Sequence, residues 1–163
     1  MRANCSDPHR PRGFTVIELV AVIVLMALLA VAVLPKMDAM TAMRGAAWRD
    51  QVLMALRHAQ ATATSHRRLV CVSVATGAVT LTIAGSNPAT SCGSALPGPD
   101  GNADWARDPN APATTVSPAG VLYVQPTGRV TTGGSASSAV ADRSISIVGE
   151  TAISVVGETG HVE

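Results

Sequence analysis

The stretch that decides the fold is RPRGFTVIELVAVIVLMALLAVAVLPK, residues 10–36. Arg10 and Arg12 precede an apolar run that begins at Phe14 and continues to Leu34. At ~1.5 Å per helical residue the run is about 31 Å long, close to the ~30 Å hydrocarbon core of a bilayer. Arginines in front of an apolar helix favour a cytoplasmic N-terminal end. The sequence therefore predicts a single membrane-spanning helix, with everything after it on the far side.

Glu18 is the side chain of this run that does not suit lipid. A carboxylate in hydrocarbon costs about 2.5–3.5 kcal/mol unless a cation pairs with it. A cleaved secretory signal is the simplest alternative, because residues 30–32 (AVA) resemble its small-x-small cleavage site. The apolar run exceeds the ~7–15 residues of such a signal, however, and a discarded segment has no use for a buried acid. We therefore expect a retained helix whose acid pairs with Arg12 or with an amine created by a cut after Gly13.

These residues resemble the N-terminus of type IV pilins and pseudopilins. In that family a membrane peptidase cuts after a glycine on the cytoplasmic side and N-methylates the next residue, usually phenylalanine. Gly13 and Phe14 occupy those positions, Glu18 lies where the family has its glutamate, and Pro35 lies where it commonly has a helix-bending proline. The resemblance implies a cleaved leader over residues 1–13, N-methylation of Phe14 and a subunit-assembly role for Glu18. In the family this carboxylate is thought to pair with the cationic N-terminus of a neighbouring subunit.

The helix is predicted to have a transmembrane half, residues 14–34, and an amphipathic periplasmic half, residues 35–67. Pro35 lacks a backbone donor and should kink the helix between them. One apolar stripe of the second half suits packing against a head domain: Trp48, Val52, Ala55, Leu56, Ala59 and Ala63. A second stripe consists of Met40, Met43, Ala47 and Met54. It either meets neighbouring helices in an assembly or fills a broad core face, and the sequence leaves both open.

Residues 68–163 are predicted to form a small, mostly antiparallel β head. Strands at Arg68–Val74 and Val79–Ala84 would form a hairpin. Later strands are expected within residues 120–126, 128–130, 143–148 and 151–158. A long loop is expected near 85–118, where Pro, Gly, Asn and Asp are dense. The predicted fold class is α+β, a long N-terminal helix packed on this head, and the resemblance makes it pilin-like.

The head resembles the GspH/FimT group of minor pilins and pseudopilins. The matching stretches are ALRHAQATATSHRRLVCVSV (55–74), VQPTGRV (124–130) and ISIVGETAISVVGETG (145–160). WRDQVLMALRHAQ (48–60) followed by RRLVCV (67–72) is similar to minor pilins of the mannose-sensitive haemagglutinin type.

DNA-uptake members of the group carry Gly-Arg-x-Arg near the C-terminus, but the tail here is Gly160-His161-Val162-Glu163. From Leu69 onward there are also three arginines against seven acidic residues, which disfavours a nucleic-acid surface.

Cysteine usage suits an exported head. Cys5 lies in the leader, so Cys71 and Cys92 would remain in the mature chain. An oxidising periplasm favours a disulfide between them, and the alternative is a pair of free thiols.

No catalytic constellation emerges, and neither a cofactor nor a metal site is expected. His58 and His66 are too far apart along the helix for a common metal site and suit a surface role.

A calcium-loop spacing begins with Asp100, Asn102 and Asp104. Trp105 stands in place of the turn glycine and Ala111 in place of the closing glutamate, so a polar turn is the default. Trp105 and Tyr123 suit core packing, with a recognition patch as the alternative.

The sequence thus predicts a minor pilin or pseudopilin, a structural and assembly subunit of a type IV pilus or a type II secretion pseudopilus. It is not expected to be an enzyme. The expected location is the bacterial inner membrane, single-pass, with the head in the periplasm and later in a filament. The implied partners are a prepilin peptidase/methyltransferase, other pilins or pseudopilins and the inner-membrane assembly platform. The alternatives are a DNA-binding minor pilin of an uptake pilus and a membrane-anchored periplasmic ligand-binding domain.

Overall fold

The computed structural model describes the backbone of residues 14–163 and the side chains of residues 14–30 and 43–163. Within these residues the chain forms one helix, α1 (Val16–His66), followed by strands only. The strands are β1 (Val70–Ala75), β2 (Ala78–Ile83), β3 (Ser94–Leu96), β4 (Ala106–Arg107), β5 (Thr114–Ser117), β6 (Leu122–Val124), β7 (Val130–Thr131), β8 (Arg143–Ile147) and β9 (Ile153–Val155). This confirms the predicted α+β class with a long N-terminal helix, an arrangement consistent with a pilin-like protein.

The chain divides into two compact units, one ending at Met40 and the other comprising Thr41–Glu163. In the first unit, the apolar side chains from Phe14 to Ala30 are exposed. Among the described residues, no helix combines the length and the apolarity that a bilayer crossing requires. Cys5 and Gly13 lie outside the described residues, and the side chains of Pro35 and Met40 are likewise not described. The predicted kink at Pro35 therefore stays a prediction.

The C-terminal end of α1 is capped by a backbone hydrogen bond. Arg67 adopts a left-handed conformation with φ of 52°, which reverses the chain directly after His66. The Arg68 N–H then donates to the Ala63 carbonyl at 3.2 Å. This is the bond of a Schellman motif, which satisfies a carbonyl that the last turn would otherwise leave without a partner. The chain therefore leaves the helix directly into β1.

The second unit contains two antiparallel sheets. The larger has the strand order β3-β2-β1-β6-β7, with β4 pairing separately with β2, and the smaller has the order β5-β8-β9. The hairpin of β1 and β2 is the best-paired part, with Val72 opposite Leu81 on the inner face. On β1 and β2 the inward residues are buried while Ser73 and Thr80 lie on the other face, the period-2 pattern of a half-covered sheet.

The core lies between α1 and the inner faces of both sheets. All six residues of the predicted first stripe, from Trp48 to Ala63, are buried there, with Trp48 only 1% exposed. They meet Val70, Val72 and Leu81 of the larger sheet and Ile145 and Ile153 of the smaller one; each such burial contributes about 1.5–3 kcal/mol. The prediction for this helix face is confirmed.

Three side-chain hydrogen bonds also fix the position of α1 on the head. The Trp48 indole N–H donates to the Thr114 hydroxyl at 2.9 Å. Arg49 Nε donates to the Thr151 carbonyl, and Gln60 Nε2 donates to the Thr159 carbonyl, both at 2.9 Å. The helix is thus held at both ends of its head-facing segment.

The stretch near 85–118 differs from the long irregular loop that the sequence predicts. It contains β3 and β4, which pair with β2, and β5, which pairs with β8. Each of these strands has only two to four residues, too few to display an alternating apolar pattern. Their pairing depends on the partner strand rather than on their own sequence, which is why composition alone indicated a loop.

Candidate functional site

The first described residues show how α1 begins. Phe14 is 79% exposed and, like Thr15, precedes the helix. The Thr15 hydroxyl accepts a hydrogen bond from the Glu18 N–H at 3.4 Å, and the Thr15 carbonyl accepts one from the Leu19 N–H at 3.2 Å. Thr15 is therefore the N-cap of the helix, and Glu18 is its third residue. This cap was not predicted, although T-x-x-E ahead of an apolar run is its sequence signature.

The surroundings of Glu18 explain how the acid is accommodated in the free chain. Its carboxylate lies in the first turn, where the helix dipole favours negative charge by about 0.3–1 kcal/mol. The side chain is exposed, and it takes part in no ion pair with the described residues. The carboxylate therefore remains accessible to a cation supplied from elsewhere.

Cys71 and Cys92 are joined by a disulfide in the head. Cys71 lies on the outer face of β1 and Cys92 in the segment before β3, with their Cα atoms 6.1 Å apart. Leu69 and Ala84 pack beside the bridge, and Tyr123 contacts the same small cluster. The disulfide thereby fastens the irregular segment after β2 to the outer face of the larger sheet.

The second helix stripe is not part of the core where it is described. Met43 is 74% exposed and Met54 is 61% exposed, and Ala47 between them is also exposed. Of the two interpretations left open by the sequence, the broad core face does not apply to these side chains. An exposed apolar strip remains on the helix within the second unit.

The calcium-like spacing forms an ordinary polar turn. Asp100 Oδ1 accepts a hydrogen bond from the Asn102 N–H at 3.1 Å, and this bond holds the pKa of the Asp100 carboxyl below its usual value. Asp104 instead pairs with Arg107 at 3.4 Å. Across the described part of the chain, no three His, Cys, Asp or Glu side chains come together as metal ligands would.

The two histidines and the two aromatic residues Trp105 and Tyr123 do not form one common site. His58 and His66 are exposed on α1. The His58 ring lies 5.8 Å from the Trp105 ring, which is half-buried against the core. Tyr123 is half-buried beside the disulfide. Both aromatic side chains thus combine core contact with partial exposure.

The head contains a cavity of about 400 Å³ that was not predicted from the sequence. It is open to solvent, and three irregular segments form most of its lining: residues 87–90, 125–129 and 135–136. The stretch VQPTGRV (124–130) was noted only as a family resemblance, and it did not indicate a cavity because the other walls are distant in sequence. In the structure, Gln125 is a buried polar side chain that lines the cavity.

Comparison with known proteins finds a match in the N-terminal segment alone. Residues 8–34 match the family model described as the prokaryotic N-terminal methylation motif. No curated protein and no solved structure matches the chain. The motif is that of structural filament proteins rather than enzymes, and it implies processing by a prepilin peptidase and assembly with other pilins. The chain thus carries the processing segment of a type IV pilin-like protein.

Proposed function

We propose that this protein is a minor pilin or pseudopilin of the GspH/FimT type, a non-enzymatic structural and assembly subunit. The filament is a type IV pilus, including the mannose-sensitive haemagglutinin type, or a type II secretion pseudopilus. The observation that carries the proposal is the methylation motif over residues 8–34, which continues into a capped helix of 51 residues.

Maturation is the first step of the proposal. A prepilin peptidase/methyltransferase cuts between Gly13 and Phe14 and methylates the new amine of Phe14. Only Phe14 and Thr15 then precede α1, so the methylated amine lies close to the positive end of the helix dipole. Two positive groups at one helix end favour the approach of a carboxylate.

Glu18 would supply such a carboxylate to a neighbouring subunit. Within lipid an unpaired acid is costly, and a cation from a second chain removes most of that cost. Pairing between Glu18 of one subunit and the amine of Phe14 on the next would favour one axial offset between adjacent helices. The exposed carboxylate at the start of α1 is compatible with this role.

The proposed location is the bacterial inner membrane. Residues 14–34 would cross it once, the kink at Pro35 would mark the exit, and residues 68–163 would form the periplasmic head. The assembly platform would then extract the subunit into the filament. The Cys71–Cys92 disulfide suits an oxidising compartment.

Mass spectrometry of the mature N-terminus tests the proposal. The full chain is expressed in a host with a prepilin peptidase and purified from membranes in detergent. The expected N-terminal residue is N-methyl-Phe14. A mature chain that begins at Val33, after the AVA of residues 30–32, would show secretory-signal cleavage and would exclude a pilin.

A further inference from the structure

The head cavity has the size and the lining of a ligand site. Its volume of about 400 Å³ falls within the ~300–1,000 Å³ of typical ligand pockets. Leu69, Pro88 and Pro126 supply apolar wall, while Gln125, Thr127 and Arg129 supply polar groups. No carboxylate is among the residues that line it, so a cationic ligand would find no counter-charge.

Gln125 forms the polar floor of this cavity and is only 5% exposed. Its Nε2 donates to the Thr131 hydroxyl at 2.9 Å, and its second hydrogen is shared among the carbonyls of Gly133, Gly134 and Ser135 at 3.4, 3.2 and 3.3 Å. Since these acceptors surround the nitrogen, the orientation of the carboxamide is fixed. Oε1 accepts no hydrogen bond from a described residue. Part of its surface is accessible, so it is not a fully buried atom without a partner. Because Gln125 lines the cavity, we expect this acceptor to be the one that a bound ligand meets.

Arg129 supplies the complementary donors at the wall. Its Nη2 binds the two Glu158 carboxylate oxygens at 2.9 and 2.8 Å. In this pairing Nε and Nη1 remain available to an acceptor on a ligand. A ligand that matches both groups carries an N–H or O–H toward Gln125 and a carbonyl toward Arg129, with an apolar group between them.

The walls of the cavity are held in place before any ligand arrives. Gly134 packs directly against the Thr90 carbonyl, so tightly that a Cβ at this position would overlap it. The segment with Thr90 continues to Cys92, which the disulfide fastens to β1. Because these two of the three wall segments are held by their neighbours, binding needs little ordering of them, and that lowers its entropic cost.

We propose that this cavity binds an extended peptide segment of a partner protein. A main-chain N–H of the peptide donates to Gln125 Oε1, an adjacent carbonyl accepts from Arg129, and a small aliphatic side chain lies against Leu69 and Pro88. A peptide fits better than a sugar, because the wall is mostly apolar and contains no aromatic ring on which a sugar could stack. This inference goes beyond the proposed filament role and does not depend on it.

The test uses the full chain in detergent micelles and NMR signals of the Gln125 carboxamide and the Ala89 methyl group. The probe is a capped tripeptide, N-acetyl-Ala-Val-Ala-amide, with N-acetylglucosamine and sodium acetate titrated in parallel. Ala136→Phe places a ring over the cavity at an exposed position that lines it. Ala139→Phe, exposed on the same loop but outside the lining, is the matched control.

We expect saturable shifts with the tripeptide at millimolar concentration. Ala136→Phe should weaken binding about tenfold or more, while Ala139→Phe should leave it unchanged. Saturation by N-acetylglucosamine or acetate without saturation by the tripeptide would overturn the peptide assignment. An absence of saturable shifts, or equal weakening by both variants, would overturn the site itself.

Discussion

At the scale of single residues, the start of α1 combines a hydroxyl and a carboxylate with two different tasks. Thr15 caps the helix, and Glu18 places a negative charge in its first turn. A glutamate at this position has an ordinary structural use, because it favours helix initiation in any protein. A test of the assembly role therefore requires a variant that removes the negative charge of Glu18 and keeps the helix cap.

Glu18→Gln is that variant, since glutamine also serves at the third position of a capped helix. We expect normal membrane insertion and normal processing, with incorporation into filaments lowered at least severalfold because the charge pair is lost. The measurement is an immunoblot of sheared filaments and membranes. Thr15→Ser, which keeps the capping hydroxyl and the charge, is the control. Wild-type incorporation of Glu18→Gln would remove the pairing argument.

At the scale of elements, residues 153–163 fold back on themselves as a C-terminal hairpin, which closes the head against α1. Ser154 and Glu163 exchange two backbone hydrogen bonds, at 2.8 and 3.0 Å, and Val162 is buried. Gly160 sits at the tightest point, with φ of 68° and no room for a side chain beside the Gly128 carbonyl and Gln60. The hairpin therefore depends on this glycine for its conformation and for its contact with the helix.

Gly160→Ala should lower the free energy of unfolding by about 2–4 kcal/mol, through left-handed strain and overlap with these neighbours. Gly101→Ala is the matched control, because Gly101 has a similar φ of 78° but open space around it. For that variant we expect a loss of about 1 kcal/mol. Denaturant unfolding of the full chain in detergent, followed by tryptophan fluorescence, measures both. Equal losses would mean that the hairpin adapts to the added methyl group.

The disulfide is a second element-scale constraint, across a sequence separation of 21 residues. Replacing both Cys71 and Cys92 by serine should cost about 3 kcal/mol of stability, because the unfolded chain regains the freedom of the loop. The native mature protein should show no reactive thiol until it is reduced. Two thiols that react without reductant would contradict the bridge.

The elements differ in how far the sequence predicted them. The buried face of α1 was predictable, because six residues from Trp48 to Ala63 repeat with the helical period over several turns. The hairpin of β1 and β2 was predictable for the same reason at period two. In contrast, β3 to β5 are too short to carry a pattern, and the cavity floored by Gln125 depends on contacts between distant segments. Such features follow from the folded arrangement and not from any local stretch.

At the scale of the whole molecule, the second unit has an exposed apolar surface that does not contribute to the core. Met43 and Met54 expose their side chains on α1, on a face that the head does not cover. In the proposed filament this strip would pack against neighbouring subunits. Methionine suits such a contact because its flexible side chain adapts to an irregular partner.

Met54→Lys should therefore lower incorporation into filaments while changing the stability of the isolated subunit by no more than about 0.5 kcal/mol. Thr64→Lys, exposed on α1 ten residues beyond Met54, introduces the same charge away from the methionine strip and is the control. Sheared-filament blots and denaturant unfolding are compared for the two variants. An equal effect of both on incorporation would show that added charge, and not loss of the strip, is responsible.

The polar turn around Gly101 also has a practical use. Asp100 and Asn102 are exposed, a Cβ atom added to the glycine between them would meet no neighbour, and the hydrogen bonds between Asp100 and Asn102 are local to the turn. A short epitope inserted there, or a dye attached through a cysteine placed at Asn102, would leave the core and the helix untouched. Labelled subunits would then let light microscopy follow where this protein travels in living cells.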